Sequence, residues 1–143
     1  MSDKISAEIY KLAISYIRYL FLFVMEFDFI KRIRERFPRF IGDDCTILDI
    51  QEERKLLLST DEMVENVHFN RRYFSLSDVG YKAVSAACSD VAAMGGKIEG
   101  VLISLSLPRG FSIKELDELY DGIQTFCAAP EIDVFGGNIT ASD

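Results

Sequence analysis

DVGYKAVSAACSDVAAM, residues 78–94, carries apolar side chains at helical spacing. Val79, Ala83, Ala86, Ala87, Val91 and Met94 fall on one stripe, which predicts a helix with one buried face. Asp90 lies near the centre of that stripe. A carboxylate there has to be paired, hydrogen-bonded or bound to a metal, because burying a lone charge is too costly. Its neighbours at three and four positions are Ala86, Ala87, Ala93 and Met94, so its own helix offers it no cation. Two further polar clusters lie upstream, Gly42-Asp43-Asp44 and Ser59-Thr60-Asp61. Carboxylates and hydroxyls converging from separate elements suit a hard cation such as Mg2+. The competing reading is that Asp43, Asp61 and Asp90 cap helices and pair with lysines.

Working outward, Ser77 or Asp78 is the expected N-cap of this helix and Gly95-Gly96 its stop. Glu26 to Phe37 reads as a short helix with Phe29, Ile30, Ile33 and Phe37 on one side, ended by Pro38. Thr46 to Ile50 and Lys55 to Thr60 read as two strands joined by a Gln51-Glu52-Glu53 turn. Residues 62–76 read as an irregular loop or short strand. Ile98 to Leu107 is a long strand and Pro108-Arg109-Gly110 a turn. Ser112 to Ala128 is helical, with Ser112 and Glu115 forming a capping box. Ile132 to Phe135 is the last strand, ending in Gly136-Gly137-Asn138. This order predicts an α/β (α+β) fold, a mixed sheet with helices packed on one face.

The chain has 143 residues, 49% of them hydrophobic and 27% charged, enough for one domain with a real core. Its net charge of -7 leaves no basic stripe for a phosphate backbone, so nucleic acid is not the expected partner. Lys31 to Arg36 reads as a solvated helix face. Cys45, Cys88 and Cys127 are odd in number and contain no CxxC, which points to small core residues in a reducing, cytoplasmic setting rather than zinc or disulfides. One histidine, His68, excludes a two-histidine metal site within the chain. Ile9 to Val24 is apolar but broken by Lys11 and Arg18, which argues against a membrane span, and no small-residue cleavage site follows. The expected organisation is an apolar, helical extension over residues 1–24 and a functional domain over residues 25–143. The stop at Asp143, just past a strand end, reads as a truncation or a domain cut.

Asp43/Asp44, Ser59/Thr60/Asp61, His68, Asp90 and Gly136-Gly137-Asn138 form a set suited to phosphoryl transfer. That reaction needs cations that bridge phosphate oxygens and rigid groups that hold those cations. Asp supplies anionic oxygens, Ser and Thr neutral ones, and a glycine pair lets backbone N–H groups approach a phosphate. Each fragment alone also fits an ordinary turn or strand exit. There is no GxxxxGK[ST] loop, no protein-kinase glycine loop and no GxSxG elbow. A nucleotide handled here needs a less common fold.

Ile41-Gly42-Asp43-Asp44-Cys45, Leu58-Ser59-Thr60-Asp61, Val64-Glu65-Asn66-Val67-His68-Phe69, Gly80-Tyr81-Lys82-Ala83, Ser89-Asp90-Val91-Ala92-Ala93-Met94-Gly95 and Phe135-Gly136-Gly137-Asn138 share one further property. Their order and spacing resemble the thiamine-monophosphate kinase family, specifically its amino-terminal, ATP-binding domain, from about Phe29 onward. The wider superfamily is aminoimidazole ribonucleotide synthetase-like, and the Val-His-Phe segment favours the thiamine branch. The resemblance implies transfer of the γ-phosphoryl of ATP to thiamine monophosphate, giving thiamine diphosphate. It implies Mg2+ held by Asp43, Ser59, Thr60, Asp61 and Asp90, and a contact from His68 to the thiamine phosphate. Asp43, Tyr120, Gly137 and Asn138 would border the nucleotide. It further implies a homodimer whose amino-terminal domains pair their sheets, with no nucleic-acid or membrane partner.

Two departures stand out. The family pattern usually reads Gly-Gly-Asp where this chain has Gly136-Gly137-Asn138; Asn keeps a carbonyl oxygen but loses a charge. The family's carboxy-terminal domain, which completes both substrate sites, does not follow in this sequence, so the isolated chain is expected to turn over poorly or not at all. The alternatives are a non-catalytic nucleotide-binding or dimerisation remnant, or a superfamily member phosphorylating a carboxylate or carbamoyl oxygen.

Overall fold

The computed structural model describes Met25 and residues 28–38, 45–129 and 131–142. The apolar extension over residues 1–24, and Gly42, Asp43 and Asp44, therefore lie outside the described residues. The chain divides into two compact units, Met1–Ile41 and Gly42–Asp143. In the first, residues 28–36 are helical (α1), and the amide of Phe37 closes the last turn on the carbonyl of Ile33 at 2.8 Å. Phe29, Ile33 and Phe37, the side expected to be apolar, are all exposed.

The second unit runs β1 (Thr46–Gln51), β2 (Arg54–Leu58), α2 (Leu76–Ala93), β3 (Gly100–Pro108), α3 (Ile113–Ala128) and β4 (Asp133–Ser142). This is the mixed α/β order read from the sequence. β1 and β2 form an antiparallel hairpin, with Thr46 opposite Leu58 and a bulge between Asp49 and Gln51. β3 and β4 pair in parallel, Gly100 opposite Asp133 and Pro108 opposite Ser142, with α3 as the crossover that parallel strands require. Among the described residues these are two separate two-stranded sheets rather than one continuous mixed sheet.

Both long helices begin with the same device. Ser112 caps α3 and exchanges hydrogen bonds with Glu115, as the sequence predicts. α2 starts earlier than expected. Its N-cap is Ser75, which forms the reciprocal box with Asp78, so Ser77 and Asp78 lie inside the first turn. Glu118 on α3 also accepts from the amide of Leu76 at 3.1 Å, bonding one helix to the start of the other.

The two helices touch backbone to backbone. A Cβ at Gly80 would collide with the carbonyl of Leu119, and one at Gly122 with the carbonyl of Ser77. Around this contact Leu76, Val79, Val84, Cys88, Leu119, Ile123, Cys127 and Ile132 are buried. Tyr81 meets Phe126 edge to face, centroids 5.1 Å apart. Val101, Ile103 and Leu105 of β3 pack against the same cluster, while the alternate Leu102 points out and is 75% exposed.

Two expectations need correction here. The buried face of α2 is centred on Leu76, Val79, Gly80, Val84 and Cys88. Asp90 therefore sits at the edge of that face, half-buried rather than central, and Met94 is exposed. β4 does not end at Phe135; it continues through Gly136-Gly137-Asn138 to Ser142. Phe135 is the extra residue of a bulge, since Val134 pairs with Val101 and Gly136 with Leu102. Gly136 adopts φ +131, a conformation L side chains rarely reach, and Gly137 passes too close to the carbonyl of Ile103 to carry a Cβ. The glycine pair thus continues the strand instead of stopping it.

Candidate functional site

Asp90 meets the end of β2. Ser59, one residue beyond that strand, donates through Oγ to Asp90 Oδ2 at 2.6 Å, across 31 positions of sequence. The contact has a packing cause. Gly96, after the helix, leaves room for Leu57 of β2, since a Cβ there would lie 2.5 Å from Leu57 Cδ1 and 2.9 Å from Val91 Cγ1. The hairpin can therefore lie close to the end of α2, which carries Ser59 to Asp90. The sequence leaves Asp90 without a helical partner; its partner is a hydroxyl from another element. A short O–H···O⁻ bond of this kind is charge-assisted and orients the carboxylate.

Thr60 and Asp61 follow directly and are exposed. Asp61 Oδ1 accepts from the amide of Glu62 at 2.7 Å, leaving its other oxygen outside that bond. Among the described residues no three His, Cys, Asp or Glu side chains gather into a metal-holding group. The oxygen groups on these segments are the Asp61 and Asp90 carboxylates and the Ser59 and Thr60 hydroxyls, of which Ser59 and Asp90 are bonded to each other. That set still fits Mg2+, which takes hard oxygen ligands and is usually bound through one or two carboxylates, with waters and substrate phosphates completing its shell.

His68 lies in a tight, exposed turn. Asn66 adopts φ 63, its amide bonds the carbonyl of Phe69 at 2.7 Å, and the amides of Val67 and His68 both bond the carbonyl of Val64. The amide of Val64 in turn donates to His68 Nδ1 at 3.0 Å. Nδ1 is then an acceptor, so the neutral ring carries its proton on Nε2. The carbonyl of His68 accepts from Lys82 Nζ at 2.7 Å, and the same ammonium stands 5.3 Å from the Phe74 ring centroid. Further along this loop Arg71 bonds Glu115 and lies 5.8 Å from the Phe111 ring centroid. Sequence reasoning gave Lys82, Arg71 and Glu118 no role. Lys82 stood inside a quoted motif, but only the fold reveals what its ammonium reaches.

Tyr120 is half-buried against the helical core and borders a cavity of about 450 Å³ with Ile123, Cys127, Ile132 and Val134. Asn138 is exposed on β4 opposite Ser104. Gly137 and Asn138 make no hydrogen bond to the Ser59–Asp90 corner or the His68 turn among those described.

The three cysteines are buried, as their spacing suggests. Burial pushes the Cys88 thiol up, with Cys127 nearby adding to it, and burial does the same to Cys127. Raised thiols are poor nucleophiles, which leaves them as packing groups.

A family model described as AIR synthase related protein, N-terminal domain, matches residues 42–143. The thiamine-monophosphate kinase of Aquifex aeolicus (strain VF5) is 40% identical over 116 residues, 81% of this chain and 37% of that protein. The Bacillus subtilis (strain 168) thiamine-monophosphate kinase is 34% identical over 71% of this chain and 31% of its own length. A solved structure of AaThiL complexed with AMPPCP and TMP superposes with TM-score 0.76 at 38% identity, covering 82% of this chain and 38% of that one. The chain thus spans about a third of the length of these relatives, 31–38%.

Proposed function

The chain belongs to the AIR synthase related family through its N-terminal domain, and from that premise we propose that it is the ATP- and metal-binding part of a thiamine-monophosphate kinase. The reaction is transfer of the γ-phosphoryl of ATP to the phosphate of thiamine monophosphate, giving thiamine diphosphate and ADP. The observation that carries this reading is the Ser59–Asp90 hydrogen bond of 2.6 Å, which joins two of the polar segments singled out in the sequence. The AaThiL relative complexed with AMPPCP and TMP supports the same pair of substrates.

Ser59, Thr60, Asp61 and Asp90, with Asp43 from the segment before β1, would hold Mg2+, which would supply positive charge to offset that of the phosphates. The chain's own groups do the rest. His68 presents an Nε2–H donor to the acceptor phosphate. The Ser59 hydroxyl keeps the Asp90 carboxylate aimed. Tyr120 packs against the nucleotide, and Gly137 and Asn138 border its phosphates. The Asn138 amide leaves that last corner one charge short of an aspartate. The functional domain begins near Met25, with residues 1–24 as an apolar extension. Two copies pair through their sheets, where Leu102, Val134, Phe135 and Ile139 leave apolar surface exposed.

Calorimetric titration with ATP, with and without Mg2+, tests the reading. Binding that requires the metal is expected, and Asp90→Ala should weaken it at least about tenfold, or about 1.4 kcal/mol. Binding that ignores Mg2+, or an Asp90→Ala chain that folds and binds unchanged, would overturn the assignment.

A further inference from the structure

The imidazole of His68 is set before any ligand arrives, and the setting depends on a carbonyl. Two amides, those of Val67 and His68, converge on Val64 O; Asn66 bonds Phe69 O; Asn70 Nδ2 bonds Asn66 Oδ1 at 2.7 Å. These bonds close the turn on itself but do not bond it to the helices. The carbonyl of His68 is held by an ammonium on α2, that of Lys82, at 2.7 Å.

We propose that Lys82 is the positioning residue for His68: its ammonium, bonded to the His68 carbonyl, fixes the peptide so that Nδ1 stays on the Val64 amide and Nε2–H faces an incoming phosphate monoester. This rests on the reading that His68 meets the acceptor phosphate, and it deepens that reading. An N–H donor carrying a charge bonds a carbonyl more strongly than a neutral amide does. Lys82 is itself restrained, because its ammonium also rests by the face of Phe74, a cation–π contact that limits the rotamers of a long side chain. Without the ammonium the peptide after His68 can rotate, and the ring's tautomer is no longer dictated by one donor. The placement has a second consequence. Lys82 and Asp90 are on the same helix, about 12 Å apart along its axis at the standard rise. One rigid element then holds the acceptor turn at a fixed separation from the metal-binding corner.

His68 is the sole histidine of the chain, so its ring nitrogens give isolated 15N resonances. At alkaline pH, where an imidazole is neutral, the chain as it stands should show one tautomer, with the proton on Nε2. Lys82→Met removes the ammonium and keeps most of the stem. It should mix the two tautomers and weaken thiamine monophosphate binding about tenfold, while leaving Mg-ATP affinity unchanged. Lys82→Arg, which restores a cationic donor, should return both readouts toward the original. A Lys82→Met chain that keeps a single Nε2–H tautomer overturns the proposal, as does equal loss of both ligands. Lys82→Gln serves if the methionine variant does not fold; failure of both to fold makes Lys82 a general support of the fold and also overturns it. If the unaltered chain binds no thiamine monophosphate, the functional reading fails, and the tautomer measurement still decides the role of Lys82.

Discussion

Leu119 and Leu102 are the same side chain in opposite circumstances. Leu119, on α3, is 7% exposed between two helices whose backbones meet; Leu102, on β3, is 75% exposed on the sheet face turned away from them. The contrast extends beyond the pair. α2 and α3 bond each other through Glu118 and interlock at Gly80 and Gly122. β4 leaves nearly every residue exposed, and its bulge displays Phe135. The helical layer is finished within this unit, whereas the outer sheet face is not. Leu→Ala at the two sites should therefore separate cleanly in urea denaturation at fixed chain concentration. Leu119→Ala should cost about 2–5 kcal/mol. Leu102→Ala should stay within about 0.5 kcal/mol, yet lower self-association in sedimentation. A Leu102→Ala chain as unstable as Leu119→Ala would break the contrast, because it would place Leu102 in a core.

The glycine contact sharpens the same contrast on a smaller scale. Alanine is the better helix former, by about 0.5–1 kcal/mol over glycine in a helix interior. Gly122→Ala should nevertheless destabilise, by about 1–3 kcal/mol, because the new methyl meets the Ser77 carbonyl and the helices have to part. Stabilisation of that variant in thermal unfolding would mean the helices do not approach so closely.

These elements also mark how much the sequence makes legible. α3 was readable to its cap, because Ser112 and Glu115 stand at capping-box spacing before a clear apolar stripe. α2 was readable as a helix but not in its face. The apolar spacing runs through the alanines toward Met94, and Gly80, whose backbone meets the Leu119 carbonyl of α3, adds nothing to a count of apolar side chains. Its cap is ambiguous in the sequence because Ser75, Ser77 and Asp78 are all of capping type, and the box closes on Asp78 rather than on Glu. In β4 two glycines in a row read as a strand stop, whereas the bulge and the close approach of β3 require them. Within the candidate site, the sequence shows that Asp90 has no cation at three or four positions on its own helix, but it misplaces Asp90 at the centre of the buried face. That Ser59 supplies the partner follows only from the hairpin lying against the end of α2. The reach of Lys82 to a carbonyl fourteen positions earlier left no periodic trace at all.

The smallest expected effect compares the two helix starts. Both carboxylates of the capping boxes are held below their ordinary values: Asp78 by the Ser75 side chain and then its backbone, Glu115 by the Ser112 backbone and then by Arg71. Glu115 is lowered from 4.5 to about 2. A carboxylate with a folded value below its unfolded one adds stability that is complete above the unfolded value and is lost as pH falls toward the folded one. For Glu115 that window runs from 4.5 down to about 2. Thermal unfolding followed across the window should show Tm falling with acidification, and Glu115→Gln should flatten the fall. The amide can still accept from Ser112, but it cannot pair with Arg71 as a charge or favour the positive end of α3. Asp78→Asn should flatten it less, since no arginine is found among the groups that lower Asp78. Equal flattening by the two variants would mean that the charge of Arg71 adds nothing at the start of α3.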